Sequence, residues 1–342
     1  MSEAPPFWFR KAGAAAWLLS PLSLLYGQLT AKRMMTKSGS FSALPVLCIG
    51  NFIVGGAGKT PTAVALATIA KDMGLRPGFL SRGYGGSVTK PTLVDAKTHN
   101  ARDVGDEPLL LALHGPTVVS TDRPAGARLL EEQDVDIILM DDGFQNPSLH
   151  KDYALAVVDA GRGLGNGFAM PAGPLRAALR PQLARASAIL LIGQSEAGTE
   201  VVRKAAKMAK PVLTGGVKVR RPEEWAGARV LAFAGIADPT KFYRSLETSG
   251  AEIVARRSFH DHHPFSAQEC QELLDQANKQ ELQLVTTAKD WARLVRMGDA
   301  QEKLRAASKP LHIDMVFENS RMAQVVLRDC IKRFEETKLA RG

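Results

Sequence analysis

Cysteine is scarce in this chain: its 342 residues hold three, Cys48, Cys270 and Cys330, far apart and without C-x-x-C spacing. That excludes a disulfide-built scaffold and a zinc ribbon, and it points to buried thiols in a reducing compartment. Aromatic residues are also few, at 6%. No recognised nucleic-acid module interleaves them with basic residues, so nucleic acid is not an expected partner. Low-complexity tracts and repeats of solenoid period are missing as well, which leaves disorder to the ends of the chain.

Acidic residues are outnumbered, 35 against 44 Lys and Arg, and the excess is unevenly placed. Residues 1–50 carry a net charge of +4, residues 161–221 carry +9, and the remainder is net acidic. Such patches attract polyanions, here a phosphorylated substrate or an anionic membrane surface, unless they are simply solvated basic faces.

From Ala12 to Ala31 no residue is charged, and Arg10, Lys11, Lys32 and Arg33 bracket the run. Trp8, Ala12, Ala15, Leu19, Leu22, Tyr26 and Leu29 recur at helical spacing and predict one apolar stripe. Ser20, Pro21, Ser23, Gly27 and Gln28 interrupt it and make a poor membrane span. A cleaved signal, a true span, an ordinary core helix and a helix lying in the membrane interface all remain open, the last being the leading expectation.

Beyond residue 45, apolar runs alternate with amphipathic stretches, the pattern of βαβ units and a parallel sheet covered by helices. Strands are expected at residues 46–49, 78–81, 117–120, 137–140, 155–158 and 189–192, then at 230–234, 253–255, 284–286 and 311–315. Gly, Pro and charge cluster at residues 215–224 and mark a boundary. The expected fold is α/β: a P-loop NTPase-like parallel-sheet domain over residues 36–220, and a second, smaller α/β domain over 221–342 whose last helix can pack back on the first. An N-terminal membrane-associating helix over 1–35 precedes them.

The strand ending at Ile49 runs into Gly50-Asn51-Phe52-Ile53-Val54-Gly55-Gly56-Ala57-Gly58-Lys59-Thr60-Pro61. A strand, a glycine turn and a helix N-terminus together present backbone N–H groups and a positive dipole end to phosphate oxygens. The ligand implied is the phosphate chain of a nucleotide with Mg²⁺. Asn51, Gly55, Gly56, Ala57, Gly58, Lys59, Thr60 and Pro61 form the candidate nucleotide site, with Lys59 reaching the β/γ-phosphates and the Thr60 hydroxyl on the metal. Ile53 stands where the strict motif has its first glycine, so this is a G-G-x-G-K-T variant. Asp141 and Asp142 close the apolar run at 137–140, and paired acids there suit a Mg²⁺ shell.

G-G-x-G-K-T-P, S-R-G-Y-G-G at 81–86, G-D-E-P at 105–108, D-D-G-F-Q at 141–145, G-N-G at 165–167, P-A-G-P-L-R at 171–176 and F-x-D-H around Asp261 and His262 follow one another in this order. Their collinear combination resembles the tetraacyldisaccharide 4'-kinase family over nearly the whole chain. The resemblance implies ATP- and Mg²⁺-dependent phosphorylation of the 4'-hydroxyl of a tetraacylated glucosamine disaccharide 1-phosphate, the lipid A precursor. The place implied is the cytoplasmic face of a bacterial inner membrane. It also implies that Asp106 and His262 take the proton of the sugar hydroxyl, that Gln145 joins Thr60, Asp141 and Asp142 at the metal, and that Arg123, Arg176 and Ser81/Arg82 meet phosphates. Ala177, Asn146 and Ala288 depart from the family pattern.

The rival class is a membrane-associated P-loop switch ATPase. Val54 stands where partitioning-type ATPases carry an extra lysine, and no N/T-K-x-D guanine-reading motif occurs. A membrane adaptor with a relic nucleotide site is the third class, and the intact Lys59, Thr60, Asp141 and Asp142 speak against it.

Overall fold

Runs such as Val46-Leu47-Cys48-Ile49, apolar at every position, need cover on both faces, and helices supply it. The computed structural model describes residues 4–35 and 39–341. After a 3₁₀ turn (Pro6–Phe9) come α1 (Ala14–Met35), β1 (Val46–Gly50), α2 (Lys59–Asp72), β2 (Pro77–Ser81), β3 (Thr92–Leu93), α3 (Ala101–Val104) and α4 (Asp106–Ala112). Next are β4 (Thr117–Val119), α5 (Arg123–Glu131), β5 (Ile137–Asp141), β6 (Tyr153–Asp159), α6 (Leu179–Arg185), β7 (Ala188–Ile192), α7 (Glu196–Ala206) and β8 (Val212–Val219). The remainder is β9 (Arg229–Ala234), α8 (Pro239–Thr248), β10 (Glu252–Ser258), α9 (Ala267–Gln280), β11 (Gln283–Thr287), α10 (Ala288–Arg293), α11 (Asp299–Ala307), β12 (Ser308–Leu311), β13 (Ile313–Phe317) and α12 (Ser320–Leu339).

The strands make two sheets. One has nine strands in the order β13-β8-β7-β6-β1-β5-β2-β4-β3, and the other four in the order β10-β9-β11-β12. All neighbours are parallel except β13 on β8 and β3 on β4, both at sheet edges. Alternation along β1 divides the large core: Val46 and Cys48 join Met140, Ile189 and Leu183 on one face, while Leu47 and Ile49 join Leu66, Leu139 and Leu327 on the other. The three cysteines are free and buried.

Two expectations need correction. The single strand expected over 311–315 is two: β12 ends at Leu311 in the small sheet, and β13 begins at Ile313 in the large one. The apolar pattern runs unbroken through both, so periodicity could not show the change of sheet at His312. No strand was expected at β8, which runs into the Gly/Pro/charge cluster through Gly215 and Gly216. There Gly215 passes close under β13, where a Cβ would lie 2.9 Å from the Val316 carbonyl oxygen.

In α1 the apolar stripe does not face the protein, as the ordinary core-helix alternative would require; small residues do. Ala16, Ser23, Gly27, Ala31 and Met34 are buried, whereas Trp17, Leu18, Leu22, Leu24, Leu25 and Leu29 are each about 60–80% exposed. Small residues let the helix approach the segment around Ala169–Ala178: the Ser23 hydroxyl donates to the Ala169 carbonyl at 2.7 Å, and the Ala178 N–H to the Gly27 carbonyl at 3.2 Å. A Cβ on Gly27 would come within 3.1 Å of Ala169. Among the described residues no helix is long and apolar enough to cross a membrane. The boundary expected at residue 36 lies outside the described residues.

Candidate active site

The glycine loop leaves the end of β1 and enters α2 through Gly58, the helix N-cap, at φ 86°, with Gly55 at φ 103°. An L side chain is strained at either angle, and a Cβ on Gly58 would sit 2.8 Å from Ile192. Pro61 occupies the first turn of α2, where its missing N–H costs no helical bond. The Asn51 side-chain amide donates to the Gly55 carbonyl at 3.1 Å and fixes the loop's curvature. Gly56 faces the second sheet's loop, since a Cβ there would meet Ala237 at 3.9 Å. Ala57 is buried.

β5 lies beside β1 with Ile49 opposite Asp141, which carries both acids to the edge of the loop. The Thr60 hydroxyl donates to Asp141 Oδ2 at 3.1 Å, and Asp141 Oδ1 is buried without a hydrogen-bond partner. Burial, reinforced by the charges of Glu107 and Asp142, pushes the Asp141 carboxyl up to about 7. A buried carboxylate with a vacant oxygen beside a threonine hydroxyl fits a divalent cation, which would supply the missing partner. Asp142 is instead paired within the chain. Lys59 Nζ lies 3.6 Å from its Oδ2, and Arg176 donates to both its oxygens at 2.7 and 3.1 Å. Burial would raise this carboxyl, but Lys59 and Arg176 outweigh it and hold it at about 2.

Gln145 uses its amide to brace the loop, donating to the Asn51 carbonyl at 2.7 Å and to Gln182 Oε1 at 2.9 Å, while its own oxygen faces Arg176 at 3.5 Å. Arg123 is only 2% exposed. Its guanidinium donates to the carbonyls of Ser81 and Ser120 and ties the ends of β2 and β4 together, with Nε unpartnered. Ser81 closes β2 and Arg82 is exposed just beyond it.

The structure brings Asp106 and His262 together across 156 residues: His262 Nδ1 lies 3.1 Å from Asp106 Oδ2. Asp106 opens α4, which packs against α2. The S-R-G-Y-G-G loop lies backbone to backbone with this turn, and a Cβ on Gly105 or Gly86 would fall 2.6 Å from the carbonyl of Tyr84 or Asp103. His262 adopts φ 59° and donates its N–H to the Gly235 carbonyl at 3.1 Å, with the Tyr84 ring centroid 5.2 Å from its own. An ionised carboxylate only accepts, so Nδ1 must carry the proton and Nε2 is left to accept one. Asp261 Oδ1 is 3.9 Å from that Nε2. His260 and His263 bond to each other at 2.9 Å and His263 to Glu269, away from His262.

Two cations beside this pair were not among the expected site residues. Arg293 donates to Asp106 Oδ2 at 2.5 Å, and Lys289 to Glu107 at 2.8 Å. Burial alone would raise the Asp106 carboxyl, yet the charges of Lys289 and Arg293 and the bond from His262 hold it well below the usual carboxylate range. Both cations lie in T-T-A-K-D-W-A-R, a strand end running into a short helix. A charged helix start directly after a buried strand was the available signal.

A family model described as Tetraacyldisaccharide-1-P 4'-kinase matches residues 15–331. A tetraacyldisaccharide 4'-kinase of Agrobacterium fabrum is 52% identical over 331 residues, spanning 97% of this chain and 95% of the relative. One of Rhizobium etli is 51% identical over 319 residues, 93% of this chain and 92% of its own. The fold is similar to the crystal structure of LpxK from Aquifex aeolicus in complex with ATP, with a TM-score of 0.69 at 24% identity, over 92% of this chain and 99% of that one.

Proposed function

The chain belongs to the tetraacyldisaccharide 4'-kinase family, its activity is phosphorylation of the lipid A precursor at the 4'-hydroxyl, and we propose how its own residues carry that activity out. The phosphoryl donor is ATP, held by the glycine loop and the N-terminus of α2. The resemblance to the ATP complex from Aquifex aeolicus supports this. Mg²⁺ would be held by Thr60 and Asp141 first, whose hydroxyl and vacant carboxylate oxygen suit it, with Asp142 and Gln145 at the margin. Its chemistry when bound is neutralisation of charge on the phosphates. Lys59, now resting on Asp142, turns to the transferring phosphoryl group, where a fixed positive charge counts most as negative charge develops.

His262 Nε2 takes the proton of the 4'-hydroxyl as the oxygen bonds to the γ-phosphorus and the bond to the β-phosphate oxygen breaks. Asp106 holds the required tautomer through Nδ1 and stabilises the imidazolium that forms. The observation that carries this is the Asp106–His262 bond, made between two sheets on the side where α4 meets α2. Arg176 fixes Asp142, and Arg123 braces the strand ends beneath the phosphates. The lipid is met at the anionic cytoplasmic face of the inner membrane, where α1 lays its exposed leucines into the interface.

Purified protein given γ-labelled ATP, Mg²⁺ and the disaccharide 1-phosphate lipid is expected to place label in the lipid. Asp106→Ala and His262→Ala should each lower kcat by roughly 10²–10⁴-fold with nucleotide affinity little changed. The double variant should be scarcely worse than the worse single one, since members of one unit are not additive. A His262→Ala enzyme with near-normal kcat would remove the pair from the chemistry.

A further inference from the structure

Asp106 Oδ2 serves two donors from the second sheet's side, His262 Nδ1 at 3.1 Å and Arg293 Nη2 at 2.5 Å, while Oδ1 accepts the Glu107 N–H at 2.9 Å. The carboxylate is 3% exposed and Arg293 5%, so water does not compete for these bonds. The other arm of Arg293, Nη1, donates to Asp290 Oδ1 at 2.6 Å and to the carbonyls of Gly235 at 3.2 Å and His263 at 3.4 Å. Gly235 O also accepts the His262 backbone N–H, and Gly235 N donates to Asp290 Oδ2 at 3.0 Å. One planar guanidinium therefore touches the histidine loop, the loop after β9, its own helix α10 and the catalytic carboxylate of α4.

We infer that Arg293 is a positioning residue for the phosphorylation reaction: it fixes the Asp106 carboxylate toward His262 from the second sheet, so that the proton acceptor is assembled only while α10 lies against α4. This rests on Asp106 and His262 being that acceptor. Geometry favours the role over mere packing. An arginine that only anchored α10 had Asp290, Gly235 and His263 for the purpose, all reached by Nη1, yet its other arm crosses to Asp106. The fork matters as well as the charge, because a lysine ammonium can reach one of these acceptors but cannot present two rigid arms in one plane.

The full chain is assayed in micelles of the disaccharide 1-phosphate lipid, with Arg293→Ala, Arg293→Gln and Arg293→Lys, each alone and in an Asp106→Asn background, and thermal midpoints measured alongside. Arg293→Ala should lower kcat by roughly 10–100-fold with KM for both substrates within about threefold, and Arg293→Lys should recover part of the loss. In the Asp106→Asn background, removing Arg293 should cost less than about threefold more, because its target is already altered. Should Arg293→Ala not fold, the Gln and Lys variants carry the same comparison. Near-normal kcat in folded variants, or the same fold-loss with and without Asp106, overturns the inference and leaves the acceptor pair standing. Near-normal kcat in Asp106→Asn and His262→Ala overturns both.

Discussion

Asp152 precedes β6 at the end of the sheet away from the glycine loop, and its Oδ2 accepts the Val46 N–H at 2.8 Å. Burial pushes its carboxyl from 3.8 up to about 6, against the hydrogen bonds it accepts from the backbone N–H groups of Val46 and of Asp152 itself. A carboxyl raised in the fold binds its proton more tightly there than in the unfolded chain, so stability falls as pH rises from about 4 through about 6. Asp152→Asn keeps an acceptor for Val46 and removes the charge. It should raise stability by about 1–3 kcal/mol at pH 8 and change little near pH 4, read from denaturant midpoints at the two pH values. An equal effect at both would refute the burial of an ionised group. Residues of this kind show where legibility in sequence ends. Gly55 to Thr60 and Asp141-Asp142 could be placed because strand ends and glycine turns are local signals. The Asp106–His262 pair entered through family resemblance alone, since nothing in either segment names a partner 156 residues away. Arg123 likewise entered through the resemblance, and the sequence does not show that its guanidinium turns onto the carbonyls of Ser81 and Ser120.

In α1 the structure removes one of the alternatives left open, the ordinary core helix. A helical stripe of large apolar side chains ordinarily marks the buried face, but here the protein wants small residues, and the leucines are left outside. Leu18, Leu22, Leu25 and Leu29 share one face, and each gains roughly 1.5–3 kcal/mol when fully buried, so full insertion of the four would at least match the marginal grip of a single lipid anchor. Changing these four to glutamine should reduce binding to phosphatidylglycerol-containing vesicles at least tenfold, by co-sedimentation. The melting temperature should hold, because Ser23, Gly27 and Ala31 are untouched. Unchanged binding would assign membrane contact to another surface. Most strands from β1 to β7 were legible because central parallel strands are uniformly apolar and bounded by turns. β8 and the separate start of β13 were not: β13 is the edge strand and β8 lies next to it, and both are half-exposed, β8 with two glycines and a lysine, β13 with an aspartate.

At the scale of the molecule, two rims join the sheets. Asp106–Arg293 and Glu107–Lys289 form one, and Asp159–Lys241 with Arg162 on Asp238 and the Ala237 carbonyl forms the other. Lys289 and Glu107 are both about three-quarters buried, so Lys289→Met leaves a carboxylate in poor solvent. Glu107 is now held below its ordinary value because Lys289 outweighs the opposing effect of burial. Without the lysine, burial prevails and the carboxyl rises, so the variant should lose roughly 1–3 kcal/mol at pH 8 and less at pH 5, where Glu107 can take a proton. A loss independent of pH would mean that the lysine acts by packing. The inverted face of α1 bears on the order of synthesis. Its protein partner around Ala169 emerges 146 residues after Ser23, a gap of roughly 7–30 s at ordinary rates of translation. During that interval the helix has its leucines but not yet the protein groove that receives Ser23 and Gly27. The proposed interfacial role of α1 therefore predicts that ribosome-bound chains stalled before Ala169 already co-sediment with phosphatidylglycerol-containing vesicles, and that the four-glutamine variant does not.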